Sequence, residues 1–315
     1  MQNLTTDIDL SLHKDINMSN PNFLQQRRIN QTIFSSGEKA EKYLPYLFMP
    51  MKYCLGINNN QIGKARRALT IQIVSRFGLT SPTIIAWLYG IPHRLALEHL
   101  NKLVSEKLLS LVITHRSLDG RVYVLDYAGA KLAEELLSVA VYFRSGEPSL
   151  RVNQNTIMHD LMMQFILLKG IHKQTKEGVD NPLWYSYVTE PEFKRLFKSH
   201  DVRNVDGIAL EPDGAITAVE IEHSFKTKAA RQTILQKWCY GLNQGYYQKV
   251  MLFSQSQKIF GDIKRLHGQL FDELPTRFDK KTRQPILSLA DVETLKQAIV
   301  YRTIFCDEIT EVFYR

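Results

Sequence analysis

The sequence predicts a mixed α/β chain in two parts, a helical N-terminal part that ends in a short hairpin and a C-terminal part built on a sheet. Three observations predict it. Between positions 61 and 136 apolar residues recur at helical spacing, in blocks punctuated by Gly78, Ser81-Pro82 and Gly90. Around Arg203 to Lys226 the period changes to two, with Val219 and Ile221 alternating with Glu220 and Glu222. Hydrophobic residues make up 44% of the 315 positions, enough for two cores.

The elements follow in order. Residues 1–60 read as a polar arm, rich in Asn, Gln and Ser and carrying Arg27, Arg28 and Lys39, followed by an apolar packing segment at 43–55 whose prolines oppose a regular helix. The domain at 61–142 opens with a helix over 69–77 that Gly78 closes. Ser81 and Pro82 supply an N-cap and a first helical residue for a second helix, and Gly90 allows a tight turn into a third at 92–106. Two strands at 109–115 and 121–125, joined through Leu118-Asp119-Gly120, complete the order of a winged helix-turn-helix. A helix at 127–142 and a linker at 143–150 lead to the second domain, 151–315. This domain is expected to hold a helix at 155–169, strands at 184–188 and 250–254, helices at 229–240 and 259–274, and a terminal strand at 299–306.

Charge points to DNA. Between positions 61 and 116 stand eight Lys or Arg against two acids, an excess of +6 out of the chain's +8. On the third helix His93, Arg94, His99, Asn101 and Lys102 fall opposite the apolar stripe, so they are the candidates for base and backbone contact, with Arg66, Arg67 and Arg116 as flanking phosphate contacts. The competing reading of this unit is protein contact or dimerisation, and a homodimer is left open.

The acids define the second candidate site. Glu220 and Glu222 share one face of their strand, and the turn Glu211-Pro212-Asp213-Gly214 brings Asp206 back beside Glu220. Three carboxylates at that density suit a hard divalent cation, Mg²⁺ or Mn²⁺. His159, Asp160 and Glu190 are further candidates for the metal shell. Lys226, Lys228, Arg231, Lys237 and Tyr240 follow in a segment, 223–250, that holds five cations and no acid, as phosphate contacts or charge screens.

The arrangement resembles the active site of the PD-(D/E)xK nucleases. Here Val205 stands where that superfamily has Pro, and Glu222 stands where it has Lys, with Lys226 four residues on. The order His159-Asp160-Leu161, Thr189-Glu190, Asp206-Gly207, Glu220-Ile221-Glu222 and Lys237-Trp238-Cys239-Tyr240, behind a winged helix, is similar to that of the replication-relaxation and MOBC-type mobilisation proteins. The resemblance implies a restriction-endonuclease-like domain and a metal-dependent nickase acting on double-stranded DNA at a transfer origin. A coupling protein and the transfer machinery would be its partners. Asp206, Glu220, Glu222 and Lys226 would be its catalytic residues, and water the nucleophile in preference to Tyr240, Tyr246 or Tyr247. The alternative is a DNA-binding regulator of plasmid replication or transfer, whose nuclease-like domain serves dimerisation.

Cys54, Cys239 and Cys306 are far apart and in no ligand spacing, so they are expected to be buried small residues rather than disulfides or a zinc site. No run of 18 apolar residues occurs and the start lacks a signal-peptide layout, which predicts a cytoplasmic protein without membrane insertion.

Overall fold

Helix Ile157–His172 (α5 of the labels below) explains the architecture, because every residue from Leu161 to Leu168 is buried. A helix that is apolar all round must be covered all round. Here one side packs on the N-terminal helices and the other on a sheet. The computed structural model describes residues 38–314 except Pro50 and Leu55, so the expectations placed on Arg27 and Arg28 lie outside the described residues.

The N-terminal part consists of α1 (Asn59–Phe77), α2 (Pro82–Tyr89), α3 (His93–Ser105), the antiparallel pair β1 (Leu109–Ile113) and β2 (Arg121–Leu125), and α4 (Tyr127–Leu137). The Asn58 side chain caps α1 by accepting from Gln61 N–H, so α1 begins ten residues earlier than apolar periodicity alone indicates. Gly78, at φ 86°, ends it in the left-handed conformation that favours glycine.

The C-terminal part is a five-stranded sheet of β3 (Ser186–Thr189), β4 (Gly207–Leu210), β5 (Ile216–Ile221), β6 (Lys249–Phe253) and β7 (Ile299–Arg302), in that spatial order. The first three strands form an antiparallel meander, and β5, β6 and β7 run parallel. α5 precedes the meander, α6 (Glu190–Leu196) follows β3, and α7 (Lys228–Asn243) crosses from β5 to β6. α8 (Gln257–Glu273), α9 (Leu289–Ala298) and α10 (Cys306–Phe313) complete the chain.

The two sheet faces carry different cores. Val219, Ile221, Met251 and Phe253 point toward α5, and their cluster continues without a break into α1, α2, α3 and the hairpin. Ala218, Val250 and Leu252 point toward α7, α8 and α9. Packing against α5 is close: a Cβ on Gly170 would lie 2.0 Å from the Trp184 ring, whose indole N–H donates to Leu167 O at 2.9 Å. The two halves are also joined by polar contacts. Arg76 at the end of α1 donates to both oxygens of Glu192 on α6 (2.8 and 2.9 Å), all of it buried. Gln164 on α5 donates to Leu79 O and accepts from Thr80.

Residues 38–49 pack against the C-terminal part. Tyr43 is fully buried, donates to Tyr246 O and stacks edge-on against Phe197. Lys39, read as part of the polar arm, donates to Gln244 O and lies over the Tyr246 ring. Cys239 and Cys306 are buried as expected, whereas Cys54 is exposed. Among the described residues no helix is long and apolar enough to cross a membrane.

Candidate nucleic-acid interface and carboxylate site

The exposed face of α3 begins with Arg94, whose side chain is 81% exposed and, among the described residues, pairs only with Glu98 one turn on. Such surface pairs hold a side chain weakly and leave it available. Lys102 on α3 and Arg116 at the hairpin tip are exposed too. Asp119 fixes the hairpin tip against the helices. Its carboxylate is nearly buried, accepts from Thr83 N–H and Oγ at the start of α2, and lies 2.6 Å from His93 Nε2 at the start of α3. His93 is therefore held against the hairpin, not free on the helix face.

Four other residues of the expected interface are engaged within the chain. His99 points inward, 3.0 Å from Thr70 Oγ and edge-on to Tyr89, and burial followed by the nearby Arg66 and Lys102 charges lowers its pKa to about 4. Polar residues at helical spacing looked exposed, but here a threonine on α1 offers the imidazole a buried partner. Arg66 lies against the Tyr53 and Tyr89 rings and donates to Tyr53 Oη. Asn101 stays exposed while accepting from Tyr123 Oη, and Arg67 pairs with Glu106.

In the sheet, the register Gly207↔Val219 brings Asp206 level with Glu220 one position further on. Their side chains part from there. Asp206 turns toward α5, with Oδ1 3.2 Å from His159 Nε2 and Oδ2 accepting from Ile221 N–H at 2.8 Å. Glu220 and Glu222 turn to the α7 side, fully buried. Glu220 accepts from Arg203 at both oxygens, the Nη2 contact at 2.7 Å, and from the Trp238 indole at 2.9 Å. Glu222 accepts from Lys226 at one oxygen and from Arg231 Nη1 at the other, 2.8 Å.

Electrostatics follow from these partners. Burial works against the His159 charge, but Asp206 outweighs it and carries the pKa up to about 9. Burial likewise favours a protonated Asp206, yet His159, Arg203 and the Ile221 N–H together bring its pKa below the usual 3.8. Glu220 is raised by burial against the pull of Arg203. Half-buried Asp160, accepting from Thr156 Oγ, is pushed up to about 6 by desolvation. His223, with its ring 5.4 Å from that of His159, is lowered by burial and then by the His159 charge.

This geometry does not fit the Mg²⁺ or Mn²⁺ ion that the resemblance implies. Every oxygen of Asp206, Glu220 and Glu222 already faces a cation or a backbone N–H, and four cationic groups stand against the three carboxylates. Among the described residues no three His, Cys, Asp or Glu side chains are arranged to hold a metal. Lys226 and Arg231 are neutralising partners of Glu222 instead of free phosphate contacts, because a buried carboxylate without them would be far costlier than the pair. Of the remaining cations, Lys228 pairs with Glu273 and Lys237 donates to His200 O. Tyr240 is 37% exposed beside Tyr246.

His159, Asp160, Glu190 and Asp206 do come together, lining a cleft of about 730 Å³ between α1, the segment after α4, and α6. Glu220 and Glu222 do not line it. The sequence reading missed Arg203 and Arg76 as partners of buried acids. The signal available for Arg203 was its position three residues before Asp206, and nothing local marked Arg76. No family model matches the chain, and no curated protein or solved structure gives a significant match.

Proposed function

We propose that this chain binds duplex DNA in a sequence-specific way through an N-terminal winged helix-turn-helix, as a regulator of the replication or transfer of a mobile element. The carrying observation is Arg94: it projects from the first turn of α3, where such a helix meets base edges, and the hairpin beside it is tied to α2 and α3 by Asp119. Lys102 and Arg116 extend the same reading to the phosphates, and the local excess of +6 supplies the electrostatic attraction. The C-terminal part, in this reading, is a restriction-endonuclease-like domain whose acids serve structure through ion pairs. A titration of labelled duplexes should find a preferred sequence whose advantage shrinks in Arg94→Ala. Equal affinity for all duplexes would refute the reading.

A second reading, a metal-dependent nickase of transfer origins, is favoured by the strand order and by Asp206 lying level with Glu220. It requires Glu220 and Glu222 to be released from Arg203, Lys226 and Arg231. Supercoiled plasmid incubated with the protein and Mg²⁺ or Mn²⁺ decides between them. Open circles that vanish with EDTA and in Glu220→Ala support the nickase, and intact supercoils under every metal support the regulator.

A further inference from the structure

The cleft on the α5 side of the sheet carries more positive than negative charge, although three acids lie in its floor. Arg144, Arg151, Lys194, Arg195 and Lys198 line it, and His159 is held protonated at neutral pH. Lys194 is occupied by Glu190 at 2.5 Å, and Arg151 donates to the carbonyls of Leu125 and Gly146. The side chains of Arg195 and Lys198 are exposed and have neither an ion pair nor a hydrogen bond among the described residues. The rest of the lining is partly aromatic, with Phe77 and Phe143 half-buried and Tyr142 61% exposed. A volume near 730 Å³ is of the size that takes one nucleotide. Unpaired cations beside the Tyr142 ring, which stays 61% exposed although the Arg144 guanidinium lies 5.5 Å from its centroid and donates to its hydroxyl, offer the two things a nucleotide needs, phosphate neutralisation and a stacking surface.

We propose that this cleft binds a nucleoside phosphate, free or at the end of a DNA strand, with Arg195 and Lys198 taking the phosphate and Tyr142 the base. The site is separate from the duplex-reading face of α3 and does not rest on it.

The test is fluorescence anisotropy of the full chain with two probes, a labelled deoxyadenosine monophosphate and a 5′-phosphorylated, 3′-labelled hexathymidine. At least one probe should bind, and the exposed double variant Arg195→Glu/Lys198→Glu should weaken it roughly ten-fold or more while leaving the circular dichroism unchanged. Tyr142→Ala should weaken it as well, and Arg94→Ala should not. Binding of the mononucleotide assigns the free ligand, and binding of the oligonucleotide alone assigns the strand end. The proposal is overturned if neither probe binds, or if the charge-reversed variant binds them as well as the parent chain.

Discussion

Arg203 grips Glu220 at both carboxylate oxygens, on a side of the sheet where the glutamate has no exposed surface. Removing the arginine leaves a buried charge without its partner, which costs about 3–5 kcal/mol. Arg203→Met should therefore lower the urea unfolding free energy by about that amount, and Arg203→Met/Glu220→Gln should recover much of the loss. A stability unchanged by Arg203→Met would show that Glu220 does not depend on it.

Arg76 and Glu192 cross-link the two halves inside a core that runs continuously from α1 to the sheet. A shared core predicts one cooperative unfolding transition, followed alike by far-ultraviolet circular dichroism and by tryptophan fluorescence. Arg76→Met should move that transition to lower denaturant by about 3–5 kcal/mol. Two separated transitions in the unmodified chain would contradict it.

Folding raises the pKa of His159 from 6.5 to about 9, so the folded chain holds this proton more tightly than the unfolded chain does. The stability it contributes is complete below pH 6.5 and is lost as the pH rises from there through 9. Asp206 works in the opposite sense: its lowered pKa contributes stability above its usual 3.8, lost as the pH falls. Stability measured between pH 6.5 and 9 should decline in the parent chain and decline less in His159→Gln. Identical slopes would place His159 outside the Asp206 pair.

His99 packs inward against Thr70 and Tyr89. His99→Ala should cost about 1–2 kcal/mol of stability and leave duplex affinity unchanged in the folded chain. Selective loss of DNA binding in a variant of undiminished stability would return this residue to the interface.

Much of the fold was legible because local chemistry and tertiary packing agree. Gly78 and Gly90 end helices in left-handed conformation, and Gly214 turns β4 into β5, as their positions predict. Strand alternation correctly placed Glu220 and Glu222 on one face. Period alone did not reveal what that face meets. Whether a carboxylate meets a metal, water or an arginine depends on Arg203, seventeen positions before Glu220, and on Arg231, nine positions after Glu222. The same limit applies to α3, where His99 and Arg94 share a polar pattern and only the position of Thr70 on α1 separates them. The α10 helix, eight residues long and without the Ser-Pro and Gly boundaries that mark the equally short α2, did not stand out.

Duplex binding by Arg94, Lys102 and Arg116 is the claim on which the functional reading stands, and a salt-dependent titration of labelled duplex DNA tests it most directly. The account predicts affinity that falls as salt rises, with a shallower slope in Lys102→Ala and Arg116→Ala, and a loss of about 1–3 kcal/mol on the preferred sequence in Arg94→Ala. Absence of duplex binding at low salt, or binding that none of the three substitutions changes, would contradict it.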